Sequence, residues 1–129
     1  QTVDRLPAPQ AEQHSHAILK ALIGAAKADG HIDQQERELI DSEIAKLTSD
    51  LSLQRWFDQE LAKPLDPADV AGAATTQEMA AEMYLASLLV INEQNYMEGA
   101  YLQELARQLK LPTELKAELD FQAKQALAA

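Results

Sequence analysis

Cysteine is absent from this chain, which excludes a disulfide framework, thiolate zinc sites and cysteine nucleophiles and leaves oxygen-ligand metals open. Glycine is scarce, at four residues, and β-branched residues are few. Positive charge is in short supply: 11 Lys and Arg stand against 21 Asp and Glu, a net charge of -10 and a pI near 4.6. Such a chain repels phosphate backbones and anionic lipid and attracts cations and basic partners, so nucleic acid is not an expected partner. Long hydrophobic runs are missing as well. The longest without charge, Ala21 to Ala26 and Tyr84 to Ile91, fall far short of the roughly 20 residues that cross a bilayer. Gln1 to Pro9 has no cationic or apolar leader pattern, and the sequence starts at Gln rather than Met; it reads as an excised or processed piece, with room for a membrane anchor before Gln1.

What is present is the Ala, Leu, Glu and Gln set that loses least entropy in helices. At 129 residues the chain predicts one all-α domain. Gln1 to Gln10 reads as an extended lead-in, and the domain as residues 11–129. Helical periodicity predicts seven helices: about Ala11 to Ala28, Gln34 to Leu47, Leu53 to Ala62, a short one from Asp66-Pro67 to Ala73, Thr76 to Ile91, Tyr96 to Lys110, and Pro112 to the end. Ala17, Ala21, Leu22, Ala25 and Ala26 form the expected inner side of the first helix, with Lys20 and Lys27 on its polar side. Trp56, Phe57, Tyr84 and Tyr101 fall on core stripes, with Leu102, Leu105, Leu109, Leu115, Leu119 and Phe121. Asp66 before Pro67 is a cap with proline in the first turn, and Thr75 with Glu78 is a capping box. The run from Tyr84 to Ile91 is apolar nearly all round and predicts the most buried helix. His14 and His16, two apart, belong to different faces and read as surface residues.

The two halves match. One offset places Glu36 on Glu98, Ile40 on Leu102, Leu47 on Leu109 and Phe57 on Leu119; one residue more places Leu22 on Leu85, Ala25 on Leu88 and Asp29 on Asn92. This predicts an internal pseudo-twofold repeat with an acidic inter-helix loop in each half.

The first loop is Asp29-Gly30-His31-Ile32-Asp33-Gln34-Gln35-Glu36, and the second runs from Asn92 through Asn95 to Glu98. Asp33 with Glu36, and Asn95 with Glu98, satisfy capping boxes, and Gly30 and Asn92 suit a left-handed helix end. Asp29 has no such structural role. A carboxylate at a helix C-terminus opposes the macrodipole by roughly 0.3 to 1 kcal/mol, which a cation would offset. The segment matches the second half of an EF-hand loop, but Ala25 and Lys27 occupy the positions where the first half supplies ligands. Asp29, Glu36, Asn92 and Glu98 would form one oxygen-rich site for Ca²⁺, Mg²⁺ or Mn²⁺ if the two loops meet, and two half-sites if they do not. Zn²⁺ is less suited, His31 being the single nearby imidazole and more simply a solvated one. No Gly-rich phosphate loop, nucleophile elbow or HExxH pair is present.

Lys27-Ala28-Asp29-Gly30-His31-Ile32-Asp33 with Glu36, then Lys63-Pro64-Leu65-Asp66-Pro67, then Ala86-Ser87-Leu88-Leu89 leading to Glu98 and Tyr101-Leu102, resembles the YebE-type branch of the TerB-like (tellurite-resistance B-like) bacterial proteins over about Ala17 to Ala129. The resemblance implies a compact helical domain, a metal site on Asp29, Glu36, Asn92 and Glu98, an apolar or Gly-rich segment ahead of the domain, association with the bacterial inner membrane, and no established reaction. Asn92 departs from the pattern, where Asp is usual, and removes one ligand charge. Two functions are expected from this reading: a non-enzymatic module with a divalent-cation site, or a metal-free scaffold that binds a protein partner and is tethered to the inner membrane. A metal-dependent hydrolase is the third, and no base or cleft for it is visible in the sequence.

Overall fold

Helix α1 (Ala8–Ala28) is buried on two sides, and four of the five other described helices pack against it. A computed structural model describes residues 8–29, 35, 37–38, 41–42, 51–91 and 96–128. After α1 come α2 (Leu51–Ala62), α3 (Pro67–Ala71), α4 (Gln77–Val90), α5 (Tyr96–Gln108) and α6 (Thr113–Ala128). Among the described residues there is no strand, so the chain is an all-α domain with six described helices. The helix expected from Gln34 to Leu47 lies for the most part outside the described residues; Gln35, Arg37, Glu38, Asp41 and Ser42 are described, and all five are helical. α1 begins at Ala8, earlier than periodicity indicates, because Pro9 fits a first turn whose amide would be unpaired anyway.

Ala17, Ala21 and Ala25 recur on every fourth position of α1 and are fully buried. Small side chains let a neighbouring backbone come close, and the most extensive packing among the described helices is between α1 and α4. The main core joins this face to Met79, Met83, Tyr84 and Leu88 of α4, to Tyr101, Leu102 and Leu105 of α5, and to Leu119 and Ala123 of α6. The opposite face of α1 carries Leu19 and Ile23, which meet Phe57 of α2 in a second, separate cluster flanked by Trp56 and Leu61. Leu22, expected inside, is only half-buried, because the second face turns Leu19 and Ile23 inward instead.

Two further expectations are corrected. Phe121 is 58% exposed, and Ala123, two residues on, takes the buried position on α6. The cap of α4 is Thr76, whose hydroxyl accepts from the Met79 amide at 3.0 Å, so the third helical residue is Met79 and no capping box with Glu78 forms. Tyr84, Ser87, Leu88 and Ile91 are buried as predicted, but Leu89 is 42% exposed, so the C-terminal half of α4 keeps one solvent edge. Ser87 is accommodated inside because its hydroxyl donates to the Met83 carbonyl at 2.9 Å.

The ends of the elements follow the sequence closely elsewhere. Asp66 is extended and accepts from the Ala68 amide at 3.0 Å, with Pro67 opening α3. α5 closes with Lys110 at φ 58, its amide donating to the Arg107 carbonyl and that of Leu111 to the Ala106 carbonyl, and Pro112 follows. This is the paired closure of a left-handed helix end, made here by a lysine where glycine would be unstrained.

Candidate functional site

At the end of α1 the Asp29 amide donates to the Ala25 carbonyl at 3.0 Å, completing the last turn, and the Asp29 side chain is exposed. It stands where the unpaired carbonyls of the helix make the local potential negative. Asp29 borders a cleft of ≈ 540 Å³ that also receives Leu65 and Pro67 from the segment at the start of α3, and Met97, Tyr101 and Glu104 from α5. Three stretches far apart in the chain therefore meet at one opening: the acidic end of α1, the Pro-Leu-Asp-Pro segment and the first turns of α5.

Glu98, on the first turn of α5 between Met97 and the buried Tyr101, is itself 3% exposed and faces the interior. Of the four ligand positions read from the sequence, Asp29 lines the cleft, and Glu98 lies on α5, which also borders it, but Glu98 is not itself among the lining residues. Glu36 and Asn92 lie outside the described residues, as do Asp33, His31 and Asn95. Among the described residues no three His, Cys, Asp or Glu side chains are grouped so as to hold a metal ion. The described donors are carboxylate oxygens, the ligand type of hard cations.

The floor of the cleft is aromatic. Tyr101 is buried, and its hydroxyl has no hydrogen-bond partner among the described residues. It lies against Gly24: a Cβ there would come within 2.6 Å of the hydroxyl oxygen. Burial pushes the Tyr101 phenol well above its ordinary pKa, so the group stays neutral. Glu104, on the rim, accepts from the Arg107 guanidinium at 3.0 Å and the Gln108 amide at 2.8 Å, and these bonds hold its pKa down to about 2.

Behind the cleft lies a charged assembly that periodicity does not indicate. Glu60 of α2 is 4% exposed, and its carboxylate meets Lys63 at 2.7 Å and Lys20 of α1 at 3.6 Å. Asp69 of α3 meets the same two lysines, at 3.2 Å and 3.5 Å, so two cations and two carboxylates close a ring across three helices. Lys27 joins it differently. Its ammonium donates to the backbone carbonyls of Glu60 at 2.7 Å and Lys63 at 3.1 Å, capping the C-terminus of α2, which has no basic residue in its own last turn. Burial lowers the Lys27 pKa, with Glu60 and Asp69 opposing the shift. The polar side of α1 that carries Lys20 and Lys27 is therefore not simply solvated; both lysines turn their charges toward α2.

The two histidines do point apart, as their spacing requires, but neither is free of contacts. His14 contacts Glu82 of α4 at 2.6 Å, while the His16 ring lies 4.0 Å from that of Trp56 on α2. Burial, and then Lys20, lower the His16 pKa, with Glu60 acting the other way. The only sequence signal for the ring is the set Lys20, Lys27, Glu60, Lys63 and Asp69, whose charges offset one another only after the helices are packed.

The helices and this opening make up a small all-α domain with an acidic cleft between helix ends and with no helix, among the described residues, long and apolar enough to cross a membrane. A family model described as "Protein of unknown function (DUF533)" matches residues 1–123, and the chain belongs to that family. It is 32% identical over 105 residues, 81% of this chain and 76% of the relative, to a bacterial protein described as "Uncharacterized protein in ampR 5'region" from Yersinia enterocolitica. No solved structure matches the chain.

Proposed function

We propose that this chain is a non-enzymatic helical module in which a divalent cation is held between the end of α1 and the start of α5. What supports the reading is one observation: Asp29, the carboxylate that no cap explains, borders the same cleft as the first turns of the helix that carries Glu98. Asp29 and Glu98, with Glu36 and Asn92 from the inter-helix segments, make up the ligand set. An all-oxygen set selects Ca²⁺, Mg²⁺ or Mn²⁺ over Zn²⁺. The equivalence of Glu36 with Glu98, and of Asp29 with Asn92, belongs to the same proposal: two related halves each contribute a loop, and the ion fastens them. So does the resemblance to the YebE-type branch of the TerB-like proteins, with its implication of a domain carried at the bacterial inner membrane by a preceding segment.

The test is thermal melting of chelator-stripped protein titrated with each ion. A cation that binds only the folded state stabilises it by about 2.7 kcal/mol at a hundredfold excess over its dissociation constant. The expected result is a saturable rise in melting temperature with Ca²⁺, Mg²⁺ or Mn²⁺ that Asp29→Ala and Glu98→Gln each remove. Absence of any saturable shift at millimolar ion would leave the loops as helix caps and favour the scaffold reading.

A further inference from the structure

We propose that the cleft between the end of α1 and the first turns of α5 docks a cationic peptide segment, one that carries an aliphatic or aromatic anchor beside a Lys or Arg. The docking uses the same opening as the cation reading but does not depend on it, because it is carried by the apolar wall and lip.

The lip is Met97, and Tyr96 precedes it on the same helix. Tyr96 and Met97 are 87% and 72% exposed, the two most exposed large apolar side chains among the described residues, and they are consecutive on the first turn of α5. Nothing in the packing of α5 requires them there, since Tyr101, Leu102 and Leu105 already supply its buried stripe. Tyrosine and methionine are residue types enriched at interfaces, methionine because its unbranched chain adapts to a partner's shape. Ala28, Leu65, Pro67 and Ala100 continue the apolar surface into the cleft, whose ≈ 540 Å³ admits a side chain of leucine or phenylalanine size.

The charge at the rim selects the partner's sign. Asp29 is exposed at the negative end of α1, and Glu104 also lines the opening, with one cation, Arg107, shared along its own helix. Lys27 lines the wall but directs its ammonium to the carbonyls of Glu60 and Lys63, away from an incoming ligand. The net charge of -10 steers a basic segment toward the molecule. The groove bounded by Leu88, Gln103, Lys116, Asp120, Lys124 and Leu127 carries a Lys116–Asp120 pair at 2.9 Å and one further lysine, so it lacks the acidic excess of the cleft and serves as the control surface.

A labelled helical peptide with leucines on one face and lysines flanking it, titrated into the full chain in chelator at physiological salt and read by fluorescence anisotropy, tests this. Met97→Ser and Asp29→Asn are each expected to weaken binding by about fivefold or more, whereas Leu127→Ser and Glu118→Gln leave it within about twofold. Met97 and Asp29 are exposed, so neither variant should melt below the parent. The proposal is overturned if a peptide with serine in place of leucine binds equally well, if Glu118→Gln weakens binding as much as Asp29→Asn, or if Leu127→Ser rather than Met97→Ser removes it. A Met97-dependent dimer in sedimentation would also overturn it, by assigning the lip to a second copy of the chain. Because the titration contains chelator, its outcome is separate from that of the ion titration.

Discussion

Single residues in this domain show where backbone and side-chain constraints conflict. Lys110 holds φ 58 at the end of α5, a conformation in which a Cβ crowds the following carbonyl. Lys110→Gly is expected to raise stability by about 0.5–1 kcal/mol, a modest rise in melting temperature, the greater freedom of glycine in the unfolded chain limiting the gain. Gly24 is the reverse case. A helix-interior glycine normally gives up about 1 kcal/mol relative to alanine, yet here a Cβ would meet the Tyr101 hydroxyl at 2.6 Å and Val70 at 3.1 Å. Gly24→Ala should therefore destabilise by about 1–3 kcal/mol. Tyr101→Phe should be neutral or stabilising, since it deletes a buried hydroxyl with no partner among the described residues, and it should restore much of the loss when combined with Gly24→Ala. Denaturant melts of the four proteins in that cycle measure the coupling; additive losses would contradict the contact.

Between elements, charge holds α2 against the rest. Glu60 is buried between Lys20 and Lys63, and removing one partner of a buried pair leaves the others uncompensated. Glu60→Gln is expected to cost about 3 kcal/mol, while Lys63→Gln, on a side chain that is 45% exposed, should cost under about 1 kcal/mol; urea unfolding of both compares them. The burial of His16, with Lys20 nearby, adds a pH dependence. Its folded pKa lies below the ordinary 6.5, so as pH falls the unfolded chain takes up the proton first. The resulting loss of stability is absent well above 6.5, grows as pH drops through that value, and is complete below the lowered folded value. His16→Phe keeps a ring against Trp56 without titrating, and its melting temperature should fall less than the parent's between about pH 7 and pH 5. Helix existence is legible here from the 3.6-residue period, and the start of α3 from Asp66 and Pro67. The cap of α4 is not, because Thr75 and Thr76 are equally suited by type and the backbone path into the helix selects the second.

At the scale of the molecule, α1 separates two apolar clusters of unequal size among the described residues. The larger includes residues of α1 and α3 to α6, and the smaller contains Leu19, Ile23 and Phe57, worth about 1.5–3 kcal/mol each on burial. Elements with the smaller apolar contact open at lower free energy. On the contacts made among the described residues, amide exchange should release α2 before α4 and α5, with Glu60→Gln accelerating α2 alone; uniform exchange across the three helices would contradict this. The helical class, the acidic surface, the place of most helix ends and the stripes on Tyr84, Tyr101, Leu102 and Leu105 needed nothing beyond the order of residues, because each depends on local propensity and the period of one helix. Packing was required to turn Lys20 and Lys27 toward α2, to bury Glu60, to leave Phe121 exposed, and to bring Asp29, Leu65, Pro67 and Met97 to one cleft. Those outcomes depend on which helix lies opposite, and a one-dimensional pattern gives the face a residue occupies but not what that face will meet.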